Sequence, residues 1–266
     1  MNIGTIDRSA TSGSGWLHDV APPRKLTAFA LVLAAIVVTW NIFLVAAIAL
    51  GLLAVAVSCR LDLRLTLLLA GYPAIFALIF AWASAPGVMA GTVIVLKAVC
   101  AALAAVIVVL TTPYPQIFAP IQRIVPEVVG DALLMTYRSA FLLLGKFENV
   151  LRAVRLRAGL RGTHPVRTGR ATTQALGGVL VYSFDLAQRD YDIMWLRGYS
   201  GRLRVAPMHG TRPRLGWALV VVALATLAVS IVWRLDSGRL NPYSWLLPIP
   251  ALLLLAAGWA VRWRTP

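Results

Sequence analysis

Fifteen of the chain's 25 lysine and arginine residues fall between positions 112 and 214. Within that block the tripeptide Leu-Arg-Gly is written twice, as Leu160-Arg161-Gly162 and as Leu196-Arg197-Gly198. Arg157 and Arg161 stand four apart and so share one face of a helix, and Ala153, one turn earlier, leaves that face uncrowded. A guanidinium is always charged and meets a carboxylate in a two-pronged hydrogen bond. Glycine beside it ends the helix and lets a partner's backbone come close. The chemistry this pattern predicts is recognition: a compact basic helix end that plugs an acidic groove. Its repetition predicts a pair of equivalent contacts, hence a two-fold partner. The plainer alternative is that basic helix ends answer the negative end of the helix dipole and the anionic inner leaflet of a membrane.

Other chemistries lack their residues. No GxxxxGK[ST] phosphate loop occurs. His18, His164 and His209 are too dispersed to make a metal-ligand motif, and no HxxxH or His/Cys cluster is present; each is expected at the surface, with no resident metal or cofactor. Cys59 and Cys100 form neither a disulfide framework nor a CxxC motif. No Ser/His/Asp set or carboxylate pair converges within the apolar runs, as an intramembrane enzyme would require.

What positions the arginines is a membrane. Of the 266 residues 59% are hydrophobic and 13% charged, with a mean hydropathy of +0.79. A soluble domain would carry roughly 25% charged residues. The net charge of +15 raises nucleic acid as a partner, but the arginines flank apolar runs and lack the aromatic interleaving of single-strand binders. Leu26 to Ser58 contains no charge, whereas one crossing needs about 20 residues. Thr39-Trp40-Asn41 interrupts this run, which predicts two short spans, 24–39 and 42–59. Further spans are expected at 65–82, 88–110, 215–233 and 244–261. With six spans almost every basic connection falls on one side, including Arg24, Lys25, Arg60, Arg64, Arg262 and Arg264, so both termini are expected in the cytoplasm.

The reading is therefore an all-α integral membrane protein of about six transmembrane helices, with a cytoplasmic helical domain between spans four and five. Its parts are an N-terminal segment 1–23, spans one to four within 24–111, the basic block 112–214, and the last two spans and tail within 215–266. Inside the block an amphipathic stretch is expected at 116–124. Apolar residues recurring at three and four predict a helix over 127–160, closed by Gly159, Gly162 and Pro165. A second helix is expected over 172–196, closed by Gly198. Lys97 lies within span four, where a charge is a functional candidate by default, or a lysine snorkelling from a span that begins later. Asp62, between Arg60 and Arg64, reads as a solvated loop charge.

Three separated places resemble the CbiQ-type transmembrane T component of energy-coupling-factor transporters. They are Ile6-Asp7-Arg8 through His18 to Lys25-Leu26, Met135-Thr136-Tyr137-Arg138 through to Arg157, and Asp192-Ile193-Met194-Trp195-Leu196-Arg197-Gly198-Tyr199. The last two are similar to the family's coupling motifs. The resemblance implies a non-catalytic scaffold in the cell inner or plasma membrane. It implies two cytoplasmic ABC ATPase subunits and a substrate-binding membrane S component as partners, with a cobalt or nickel ion as cargo. The implied coupling residues are Ala153, Arg157, Arg161, Gly162, Leu196, Arg197 and Gly198. Leucine stands at 196 where the motif has alanine, and Arg157 and Arg161 both remain candidates for the first coupling arginine. The alternatives are a vitamin-type substrate, or a basic membrane-anchored interaction protein with no transport role.

Overall fold

The computed structural model describes residues 15–122, 125–157, 165–199, 212–236 and 241–264. Among them the chain is helical: α1 (Pro22–Val38), α2 (Ile42–Ser58), α3 (Leu63–Ser84), α4 (Val88–Thr111), α5 (Tyr114–Ile121), α6 (Glu127–Arg157), α7 (Pro165–Leu196), α8 (Pro213–Leu235), a 3-10 turn (Asn241–Leu246) and α9 (Pro248–Arg264). The chain divides into two units, one of residues 1–117 with 207–266, the other of residues 118–206.

In the first unit α4 packs against α1, α2 and α3, while α8 lies on α1 and α9 on α2. Small residues fill the seams: Ala28, Ala35, Ala56, Ala70, Ala104 and Ala223 are all buried, which lets helix backbones approach closely, as membrane bundles require. Large apolar side chains point outward instead, with Leu67, Leu68, Ile75, Phe76, Ile79 and Phe80 of α3 exposed. Water would not tolerate so continuous an apolar face; lipid is its natural solvent. Every backbone polar group in such a solvent must be satisfied internally, and Thr39, Thr66, Thr111 and Ser230 donate their buried hydroxyls to carbonyls four residues back.

The expected break at Thr39-Trp40-Asn41 is present. Asn41 caps α2, its side chain accepting from the Phe43 N–H at 2.9 Å. Asp62 likewise caps α3 by accepting from the Arg64 N–H at 3.1 Å, so this exposed carboxylate starts a helix rather than merely sitting in a loop. The last span departs from expectation at its start: Asn241–Leu246 is a 3-10 turn, and the α-helix begins at Pro248.

Polar contacts define two ends of this bundle. At one, Trp16 Nε1 donates to Ser58 Oγ at 3.0 Å, Arg24 donates to the Pro213 carbonyl at 3.0 Å, and Asp19 lies 3.7 Å from Arg212. Lys25, expected as a flanking charge, is buried there and donates to the Thr111 carbonyl at 2.9 Å, where α4 ends. His18, expected at the surface, has both ring nitrogens buried without a hydrogen-bond partner among the described residues; His164 and His209 lie outside them. At the other end Asn41 donates to Asn241 at 3.0 Å.

The second unit is built on α6 and α7, which pack together as an antiparallel pair. Its rungs run in opposite directions along the two helices: Asp131 with Tyr199, Arg138 with Asp190, and Lys146 over the ring of Tyr182. Helix α6 stops being described at Arg157, and α7 starts at Pro165, about two turns before the expected 172. The amphipathic stretch expected at 116–124 is the helix Tyr114–Ile121.

Four described helices are long and apolar enough to cross a membrane: α3, α4, α8 and the stretch Val128–Ala153 of α6. The last has the lowest hydropathy of the four. Helices α1, α2 and α9 each have 17 residues. The protein is an all-α integral membrane protein.

Candidate functional site

The end of α7 shows how the sequence builds a presented arginine. Gly198 has φ +74, in the left-handed region where a side chain costs roughly 1–2 kcal/mol. Around it the Gly198 N–H donates to the Trp195 carbonyl and the Tyr199 N–H to the Met194 carbonyl, both at 3.0 Å. These two bonds form the Schellman closure, which satisfies the last carbonyls of a helix by turning the chain back at a glycine. The turn leaves Leu196 87% exposed, with Arg197 and Gly198 also exposed. Arg197 thus sits at the helix's negative end, which favours its charge.

A second contact holds this tip. Tyr199, the first residue past the turn, donates its hydroxyl to Asp131 Oδ2 at 2.7 Å. Asp131 is buried near the start of α6, where the helix dipole favours a carboxylate. A charged acceptor makes this hydrogen bond stronger than a neutral one. The tip is therefore tied to the neighbouring helix while its arginine remains free to reach outward. Gly198 followed by an aromatic residue is a readable sign of the closure; Asp131, 68 positions away, is not predicted by spacing.

The first motif lies at the far end of the helix pair. Asp131 marks the level of the α7 tip, and Arg157 comes about 26 residues later on α6, or about 39 Å at the helical rise. Ala153 is exposed there and Leu156 is 85% exposed. Arg161 and Gly162 lie outside the described residues. The structure thus groups Leu196, Arg197 and Gly198 in one tip, and places Ala153 and the backbone of Arg157 far from it along α6.

Lys97 belongs to the membrane unit. It is the tenth residue of α4. Its Nζ donates to the Val37 carbonyl at 3.0 Å and lies 4.3 Å from the centre of the Trp40 ring. Sequence reasoning missed the mirror-image contact, buried Lys25 closing the carbonyl end of α4. Cys59 and Cys100 are free and buried. Among the described residues no group of three His, Cys, Asp or Glu side chains is placed to hold a metal ion.

Apolar helices with small-residue seams, together with a helix pair that ends in the exposed Leu196-Arg197-Gly198 turn, define a polytopic helical membrane protein. The family model of the cobalt transport protein CbiQ matches residues 13–207, and the chain belongs to that family. A comparison with curated proteins finds no match. The family places the chain as a membrane component of an energy-coupling-factor type of cobalt transport system, a class that generally works with ATPase and substrate-binding subunits.

Proposed function

We propose that this chain is the coupling subunit of an energy-coupling-factor importer for a transition-metal ion, cobalt or nickel. It passes the nucleotide-driven motion of two cytoplasmic ATPase subunits to a separate substrate-binding membrane subunit, and catalyses no reaction itself. The observation that carries this reading is the helix pair with an exposed arginine tip at Arg197, and with the backbone position of Arg157 far along α6 from that tip. A separation of about 39 Å along α6 suits two separate sockets rather than one. Leu196 and Leu156, exposed beside the arginines, supply apolar surface for a socket to cover.

In this reading residues 112–214 face the cytoplasm together with both termini. The support is the positive-inside rule: Arg24, Lys25, Arg60, Arg64, Arg212 and Arg214 gather at the bundle end that carries the N-terminal segment. Although α6 is long and apolar enough to span, it carries Asp131, Arg138 and Lys146, and three ionisable side chains on one helix are costly in lipid. Of the coupling residues, Arg197 serves one ATPase, and Arg157 or Arg161 the other, with Ala153, Gly162, Leu196 and Gly198 shaping the two tips.

Reconstitution tests the proposal. The chain alone in proteoliposomes should turn over no ATP. Combined with two nucleotide-binding subunits and a substrate-binding subunit, it should support ATP-dependent uptake of cobalt or nickel. ATP turnover by the isolated chain, or uptake unaffected by leaving the chain out, refutes it.

A further inference from the structure

The short first two helices leave a recess at the bundle end away from the N-terminal segment. Lys97 meets the Val37 carbonyl, yet it lies nine residues beyond Val88, where α4 begins. The turn between α1 and α2 is therefore sunk below the end of α4 by on the order of 10 Å, at 1.5 Å per residue. Above it opens a cavity of about 670 Å³. Trp40 lines it from the turn, Phe43 from the start of α2, Met89 and Val93 from α4, and Trp233 and Arg234 from α8.

Two cations from different helices meet successive carbonyls here: Arg234 lines the recess, and Lys97 lies outside its lining, over the ring of Trp40, which does line it. Lys97 donates to the Val37 carbonyl and Arg234 to the next one, Val38, each at 3.0 Å. The carbonyl end of a helix carries only about half a negative charge, so two full positive charges leave a clear excess. Among the described residues none that lines the cavity is a carboxylate, and none makes an ion pair with either cation. An ammonium has three donors and a guanidinium five, so each retains donors beyond its one carbonyl. The neutral rim, by contrast, is already satisfied: Asn41 and Trp233 both donate to Asn241, and Ser230 and Ser244 to backbone carbonyls.

We propose that this recess binds a phosphate group, with a membrane phospholipid headgroup as the source at hand. Tryptophans settle at headgroup level in bilayers, and Trp40 and Trp233 both line the recess. Short helices thin the bilayer around them, which draws headgroups down toward Lys97 and Arg234. The apolar part of the wall, Ile42, Leu44, Met89 and Val93, then meets the upper acyl chain. The proposal rests on the membrane reading alone, so it stands or falls separately from the coupling role.

Native mass spectrometry of the purified full chain tests it, with phosphatidylglycerol, diacylglycerol of the same acyl chains, and inorganic phosphate as probes. Wild type should retain phosphatidylglycerol at least tenfold better than diacylglycerol. Arg234→Gln, at an exposed position and so compatible with folding, should erase most of that preference, and the Lys97→Gln/Arg234→Gln double variant all of it. Lys97→Arg should preserve it. Competition by millimolar inorganic phosphate supports the phosphate site and makes a soluble anion its source; lack of competition assigns the lipid. Equal retention of the two lipids by wild type overturns the proposal, as does an unchanged preference in Arg234→Gln.

Discussion

Replacing Tyr199 with phenylalanine isolates what holds the α7 tip in place. The ring stays, and only the hydroxyl that donates to Asp131 at 2.7 Å is lost. A hydrogen bond to a charged group contributes about 1.5–3 kcal/mol, equivalent to roughly tenfold to hundredfold in the ratio of closed to open tip. The Schellman bonds at Gly198 remain, so the helix should keep its length while its end loosens. Hydrogen exchange on the purified full chain reads this directly at the amides of Arg197, Gly198 and Tyr199, whose N–H groups all bond within the tip. We expect exchange there to quicken about tenfold or more, with the middle of α7 unchanged. Arg197→Ala, which removes an exposed side chain, should leave these amides as protected as in wild type. If Tyr199→Phe exchanges at the wild-type rate, the contact to Asp131 does not anchor the tip and the structural argument for it fails.

Two further substitutions probe the membrane unit and its orientation. Lys25→Met removes the donor to the Thr111 carbonyl from a buried site and should cost about 1.5–3 kcal/mol, seen as a lower melting temperature in detergent; an unchanged or higher midpoint contradicts that role. A cysteine introduced at Ser200 should react with a membrane-impermeant reagent only in inverted vesicles or broken cells. Labelling from outside intact cells removes the cytoplasmic placement of residues 112–214.

The all-helical class and the break between the first two helices were legible because lipid writes its demands plainly: a charge-free run of 33 residues interrupted by Thr39-Trp40-Asn41 admits few readings. Gly198 was equally legible, since a glycine after a helical run announces the left-handed turn that ends it. Contacts across the fold were not. Arg24 and Lys25 look alike as flanking charges, yet only Lys25 is drawn inside, because the end of α4 presents it an open carbonyl. Pro165 reads as a stop for the preceding helix, yet it already lies within the described α7. His18 resembled a surface residue because nothing in its neighbours' spacing reveals that its ring nitrogens are buried. Lys97 was visible as a costly charge, but Val37 and Trp40, which it meets, lie nearly 60 positions away.

The account turns on Arg197, and uptake by the reconstituted transporter carrying Arg197→Ala tests it most directly. An exposed arginine should be dispensable for insertion and folding, so the variant complex should be recovered at the wild-type level. Truncating one partner of a docked, charged pair costs about 2–5 kcal/mol at an interface, enough to cut uptake by tenfold or more. Lysine at the same position should restore only part of it, because an ammonium lacks the two-pronged geometry of the guanidinium. Loss of uptake from an intact complex is the expected result; an Arg197→Ala complex that takes up metal at the wild-type rate contradicts the coupling role.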